Sequence, residues 1–262
     1  MAEERIVSVL DGKFQIHTFV QGSGPPLVYF HGYDGMLSWP TWLDFLTARF
    51  QVFAPQLPGV GRSTGLEHVE DFHDLAFLQL DYIEALGLER PALMGLDLGG
   101  CLAAEVAAHD SHAVSKLVLI APTGLWLDDQ PSPDFFAGGA STIQRLTWHD
   151  VEAAREKGLV PALPTDEDEQ RRAMLERQKA LTTSGKFLWP IPDKGLKKRI
   201  HRIKTPTLLV WGTSDGLVPL AYAHAFNEMI AGSRLAILEE AGHLPMLEQP
   251  EEFQRAVLGF LS

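Results

Sequence analysis

Four polar residues stand just after short apolar runs, in turn contexts: His31 in "FHGYDG", Asp97 in "GLDLGG", Asp215 in "WGTSDG" and His243 in "AGHLP". A carboxylate, a second carboxylate and a histidine in that chain order can act as a nucleophile, an orienting acid and a base. The frame Gly95-Leu96-Asp97-Leu98-Gly99 has the spacing of a nucleophile elbow, a sharp strand-to-helix turn that exposes its central side chain. Serine is the residue expected at that centre. An aspartate there marks either a different reaction, in which a carboxylate attacks carbon without first losing a proton, or a site whose serine has been replaced.

Such residues need a scaffold that gathers strand ends. "PPLVYFHG" (25–32), "FQVFAPQLPG" (50–59), "PALMGLD" (91–97), "SKLVLIAP" (115–122) and "TPTLLVWG" (205–212) read as buried strands, and "SRLAILEEAGH" (233–243) as a last strand and loop. Helical periodicity over 71–87, an alanine-rich stretch over 98–109 and a closing stretch over 250–261 alternate with them. An opening hairpin is expected around Asp11-Gly12. The pattern predicts an α/β fold, a mostly parallel sheet with helices on both faces, whose ligand site lies beyond the carboxyl ends of the strands. Residues 125–200 carry no strand pattern. They read as a helical cap, with 1–124 and 201–262 forming the core.

Composition narrows the function classes. The chain has 262 residues, is 45% hydrophobic and 21% charged, and carries a formal net charge of −12. An acidic surface repels phosphate backbones and argues against a nucleic-acid partner, leaving a small-molecule substrate. Cys101 is the one cysteine, so no intrachain disulfide can form. The opening residues lack the pattern of a secretory signal, and no apolar stretch is long enough to span a bilayer, so a cytoplasmic protein is expected. His109 and His112 have no metal-like partner set, and Gly59 and Gly61 do not complete a dinucleotide fingerprint; neither a metal nor a cofactor is expected. Nothing in the sequence speaks to oligomeric state.

The His31-Gly32 turn, "PGVGRS" (58–63), the elbow (95–99), "GTSD" (212–215) and "AGH" (241–243), in this order and each behind a strand, resemble the α/β-hydrolase superfamily over nearly the whole chain. With aspartate at the elbow, the chain resembles the epoxide hydrolases and haloalkane dehalogenases. That resemblance implies a hydrolase in which Asp97 attacks an sp³ carbon and His243, oriented by Asp215, activates water against the resulting ester. Asp128 or Asp129 is the rival acid. The N–H groups of Tyr33 and Leu98 would form the oxyanion hole. His31 and the cap residues Trp126, Trp148, His149 and Trp189 are candidates to touch substrate.

The leaving-group apparatus of those families is not matched: none of the four tyrosines lies in 125–200, and leucine rather than tryptophan or arginine follows Asp97. The helix after the elbow looks like that of serine esterases and carbon–carbon hydrolases with one residue changed. The alternative is therefore a relative of those enzymes with its nucleophile replaced, weakly active or inactive.

Overall fold

A computed structural model describes residues 2–161, 164–191 and 193–262. Eight strands form one sheet: β1 Glu3–Val9, β2 Phe14–Gln21, β3 Pro26–Phe30, β4 Gln51–Pro55, β5 Ala92–Leu96, β6 Leu117–Ile120, β7 Thr207–Gly212 and β8 Arg234–Leu238. Their spatial order is β1-β2-β4-β3-β5-β6-β7-β8. β1 and β2 pair antiparallel, as the hairpin expectation requires, and β2 meets β4 antiparallel; from β4 to β8 every pairing is parallel.

The central strands read as unbroken apolar runs because both of their faces are covered. Along β3, Val28 and Phe30 enter one core while Leu27 and Tyr29 enter the other; along β7, Leu209 and Trp211 oppose Leu208 and Val210 in the same way. This is the two-residue period of a strand serving two layers. Helices Phe72–Ala85, Leu98–His109 and Leu220–Met229 contribute to the first core, and Pro250–Leu261 to the second. Asp71 caps Phe72–Ala85 by accepting the His73 and Asp74 N–H groups.

The chain leaves β3 toward β4 on one side and returns to β5 on the other. That reversal opens a crevice at the carboxyl ends of β3 and β5, the usual ligand position in such sheets. Tyr33 follows β3 and Asp97 follows β5 into it. Between β6 and β7 the described residues form helices Ala140–Thr147, Val151–Glu156 and Glu167–Leu188 and no strand. No described helix is long and apolar enough to cross a membrane.

Candidate active site

Asp97 sits where β5 turns into the helix Leu98–His109, with φ 51° and ψ −112°. Such a left-handed conformation costs a non-glycine residue about 1–3 kcal/mol, and the surroundings must hold it. They do so through the backbone. Asp97 N–H donates to the Ile120 carbonyl at 3.0 Å, and the Asp97 carbonyl accepts from Cys101 at 2.9 Å and Thr123 at 3.2 Å. The flanking glycines are steric requirements: a Cβ on Gly95 would collide with the Gly99 carbonyl, and one on Gly99 with the Phe30 carbonyl.

The Asp97 carboxyl is buried, and its two oxygens differ. Oδ2 accepts the Tyr33 N–H at 3.1 Å. Oδ1 is buried and has no hydrogen-bond partner among the described residues. Burial pushes the carboxyl up to about 6, against the pull of the His243 charge and the Leu98 and Tyr33 N–H groups; the nearby Asp34 carboxylate adds to the rise. Asp34 keeps an accessible edge although protein atoms crowd it, and that crowding raises its own carboxyl.

Opposite stands His243, whose Nδ1 is 2.8 Å from Asp215 Oδ2. The other Asp215 oxygen accepts the Leu217 and Val218 N–H groups, both at 2.9 Å. Trp211 Nε1 donates to the Val218 carbonyl at 2.8 Å, tying that turn to the end of β7. Asp215 is thus fully engaged, and Nδ1 of His243 carries the donated proton. Burial opposes the imidazolium, but the Asp215 charge and hydrogen bond, then Asp97 and Asp34, outweigh it and push His243 up to about 9. Its Nε2 is buried and, like Asp97 Oδ1, has no hydrogen-bond partner among the described residues. At neutral pH the site holds a carboxylate and an imidazolium, each with one atom unclaimed.

The fold that places an elbow after β5, an acid after β7 and a histidine after β8 is the one found by the comparisons with known proteins. A model of the alpha/beta hydrolase family fits residues 27–256. The chain belongs to that family. It is 27% identical to a pimeloyl-[acyl-carrier protein] methyl ester esterase from Vibrio atlanticus (strain LGP32), covering 94% of this chain and 97% of the relative. It is 26% identical to a 2-hydroxy-6-oxo-6-(2'-aminophenyl)hexa-2,4-dienoic acid hydrolase from Metapseudomonas resinovorans, over 99% and 91%. Among solved structures, a membrane phospholipase A described as a bacterial virulence factor superposes with a TM-score of 0.79 at 26% identity, over 99% of this chain and 86% of that one. The serine hydrolase of carbazole degradation, with a TM-score of 0.76 at 22% identity over 100% and 99%, shares the fold. None of these four is an epoxide hydrolase or a haloalkane dehalogenase; the two sequence relatives are a methyl ester esterase and a dienoic acid hydrolase, nearer to the alternative expected from the sequence.

Within this alpha/beta hydrolase the other sequence candidates fall unevenly. His31 has both ring nitrogens engaged by the backbone. Its Nδ1 donates to the Gly32 carbonyl at 2.8 Å, and its Nε2 accepts the Leu57 N–H at 3.1 Å. Burial pushes it down to about 4, so it is a neutral brace for the loop that carries Tyr33, with no ring nitrogen to spare. Asp128 is exposed and accepts Trp126 Nε1 at 3.0 Å, while Asp129 is also exposed; the carboxylate hydrogen-bonded to His243 is that of Asp215. Trp189 is 58% exposed, its indole donating to Asp134 at 3.2 Å. His149 is exposed, with Nδ1 2.6 Å from Ser214 Oγ. Trp148 is buried, on the segment that packs against Gly242.

Sequence reasoning missed three contributors. Ser184 on the helix Glu167–Leu188 donates to the Tyr33 carbonyl at 2.8 Å. Phe135 packs against Tyr33 with ring centroids 4.8 Å apart. Glu248 accepts the Gly242 N–H beside His243. Only Glu248 had a local signal, a carboxylate five residues after the histidine.

Proposed function

We propose that this chain is a hydrolase of the esterase and carbon–carbon hydrolase type in which Asp97 occupies the nucleophile's seat, leaving ester turnover weak or absent. One observation carries the reading: the Tyr33 N–H is given to Asp97 Oδ2. Acyl transfer needs that donor for the charge that develops on the substrate's carbonyl oxygen. Here a fixed carboxylate already fills it, and a neutral carbonyl does not displace a buried negative charge. Attack by Asp97 on an ester carbonyl would form an anhydride by expelling a much more basic alkoxide, so the addition reverts. His243 is held protonated and has no lone pair on Nε2 with which to activate water. Asp215 would serve as the orienting acid, with Tyr33 and Leu98 as oxyanion donors. The relatives' esterase and dienoic acid hydrolase activities support this lineage.

The test compares wild type with Asp97→Ser on p-nitrophenyl acetate and butyrate. Serine frees the Tyr33 N–H and removes one charge beside His243. We expect ester turnover to rise by roughly 10²–10³-fold or more, the range associated with an oxyanion donor. A folded variant that gains nothing, or a wild type already as fast, overturns the reading.

The unequal carboxylate oxygens favour a second reading. Oδ1 is free while Oδ2 is held, an arrangement suited to attack on an sp³ carbon. The Oδ1–C bond forms as the leaving group departs with its electron pair, and His243 protonates a departing alkoxide. His243, left neutral after giving its proton to the alkoxide or, where a halide departs, to solvent, takes a proton from the water that attacks the ester carbonyl, whose oxygen lies at the Tyr33 N–H; the adduct expels the alkoxide, which takes that proton and leaves as the alcohol, and the regenerated Asp97 acid returns its proton to His243. His243→Gln incubated with an epoxide or haloalkane that wild type consumes should gain one adduct by intact mass. An inactive variant that never gains mass removes this mechanism.

A further inference from the structure

The helical segment between β6 and β7 is threaded between the two loops that carry Asp215 and His243. The Leu146 carbonyl accepts the Gly216 N–H at 2.9 Å, and the Thr147 carbonyl accepts the His243 N–H at 2.7 Å. A Cβ on Gly242 would collide with the Thr147 carbonyl, so the backbones meet with no side chain between them. Residues 146–149 therefore touch the acid loop on one side and the histidine loop on the other.

One side chain joins this strap to the histidine loop from behind. Glu248 Oε1 accepts the His149 N–H at 2.9 Å, and its Oε2 accepts the Gly242 N–H at 2.7 Å. Both oxygens are engaged by backbone N–H groups, one from the inserted segment and one from the residue preceding His243. Only a carboxylate presents two acceptors in that fork; a carboxamide offers one acceptor and one donor. Glu248 is half-buried, which strengthens charge-assisted bonds to N–H groups. Among the described residues its side-chain hydrogen bonds run to these two backbone groups and none runs to Asp97.

We propose that Glu248 is a positioning residue that locks the inserted segment to the histidine loop and thereby fixes His243 against Asp215. If the fork opens, the 146–149 strap and the Gly242-His243 turn are free to part. The 2.8 Å His243–Asp215 hydrogen bond loses the backbone contact that holds His243 in register. The consequence reaches the hydrolase reading above, on which the kinetic part of the test rests; the spectroscopic part does not.

The test follows the Nδ1 proton of His243 by NMR in full-length wild type, Glu248→Ala, Glu248→Gln and the control Glu251→Ala, whose side chain is exposed on the same stretch. A proton shared with a buried carboxylate resonates far downfield. We expect that resonance in wild type and Glu251→Ala, and its shift upfield or loss by exchange in both Glu248 variants. Glu248→Gln decides if Glu248→Ala fails to fold. In the Asp97→Ser background, Glu248→Gln should lower kcat for p-nitrophenyl butyrate about tenfold while KM changes less than twofold. A folded Glu248→Gln that keeps the wild-type resonance overturns the proposal, including when its melting temperature falls, because Glu248 then serves stability alone. An Asp97→Ser protein with no esterase activity would count against the functional reading and leave the resonance as the judge of Glu248.

Discussion

The two halves of the site differ in how completely they are prepared for acyl transfer. On the acid–histidine side every bond points one way: Asp215 is held by two N–H groups and the Val218 turn is held by Trp211, leaving Nε2 of His243 free to face a reactant. On the elbow side the backbone is equally well prepared, with a strained φ at Asp97, glycines where no Cβ fits and an N–H from Tyr33. Yet the side chain at its centre consumes the donor it should share with a substrate. A fold can therefore retain the geometry of a reaction while one residue changes its electrostatics. The same carboxylate adds to Asp215 in holding His243 as an imidazolium, so on the proposed reading the nucleophile half helps to idle the base half.

The largest expected effect breaks the comparison by restoring one half and then removing the other. In Asp97→Ser, adding His243→Ala should reduce kcat for p-nitrophenyl butyrate by roughly 10⁴-fold, because residues of a working triad act as a unit. In the wild-type background the same His243→Ala should leave whatever slow ester hydrolysis exists within about twofold. Stopped-flow and steady-state rates on the four proteins give the answer. If His243→Ala matters as much in wild type as in Asp97→Ser, the base half is not idle.

A smaller effect sharpens the electrostatic half of the comparison. Burial pushes the Asp97 carboxyl up to about 6 from an ordinary 3.8, so the folded protein holds this proton more tightly than the unfolded chain. Stability is then greatest with Asp97 protonated, falls as pH climbs from about 4 to about 6, and stays reduced above. At 1.36 kcal/mol per pH unit the cost approaches about 3 kcal/mol, a figure that already contains the attraction of the His243 charge. Asp97→Asn removes the charge and keeps the shape. Its stability relative to wild type should grow with pH across that window and level off near pH 7 at about 1–3 kcal/mol, measured as the difference in urea unfolding free energy. A wild type more stable than Asp97→Asn at pH 7 would mean that ionic attraction, not burial, dominates at the elbow.

What the sequence disclosed follows from where its signals come from. Strands β3, β5, β6 and β7 were legible because two-sided burial makes them contiguous apolar runs, and the elbow because glycines at fixed spacing leave a local mark. The helix Leu220–Met229 was not read: its buried residues are Tyr222, Ala223 and Phe226, with alanine and histidine around them, too weak a stripe to stand out. Asp215 and His243 could be placed near one another from their loops alone. That Asp97 Oδ2 takes the Tyr33 N–H could not, since it depends on the separation of two turns 64 residues apart in sequence. The inserted segment was hardest. Its helices were expected as a class, but which aromatic turns inward is set by packing. Ser184, not a tryptophan, reaches the oxyanion loop.

The smallest expected effect concerns that segment. Trp189 follows the helix Glu167–Leu188 and was a candidate to touch substrate, yet it is 58% exposed and its indole bonds to Asp134, itself on the surface side of the segment. Surface substitutions away from caps and buried networks change stability by about 0.5 kcal/mol or less, and an exposed hydrogen bond adds little more. The side chains that do reach the Tyr33 loop, Ser184 and Phe135, make no hydrogen bond to Trp189 among the described residues. Trp189→Ala in the Asp97→Ser background should therefore keep kcat/KM for p-nitrophenyl butyrate within about twofold and unfolding free energy within about 1 kcal/mol. A tenfold loss in kcat/KM carried by KM would show that Trp189 swings onto bound substrate. The inserted segment would then close over the site by moving its Trp189 end, while the Leu146–His149 strap stays fixed to the two catalytic loops.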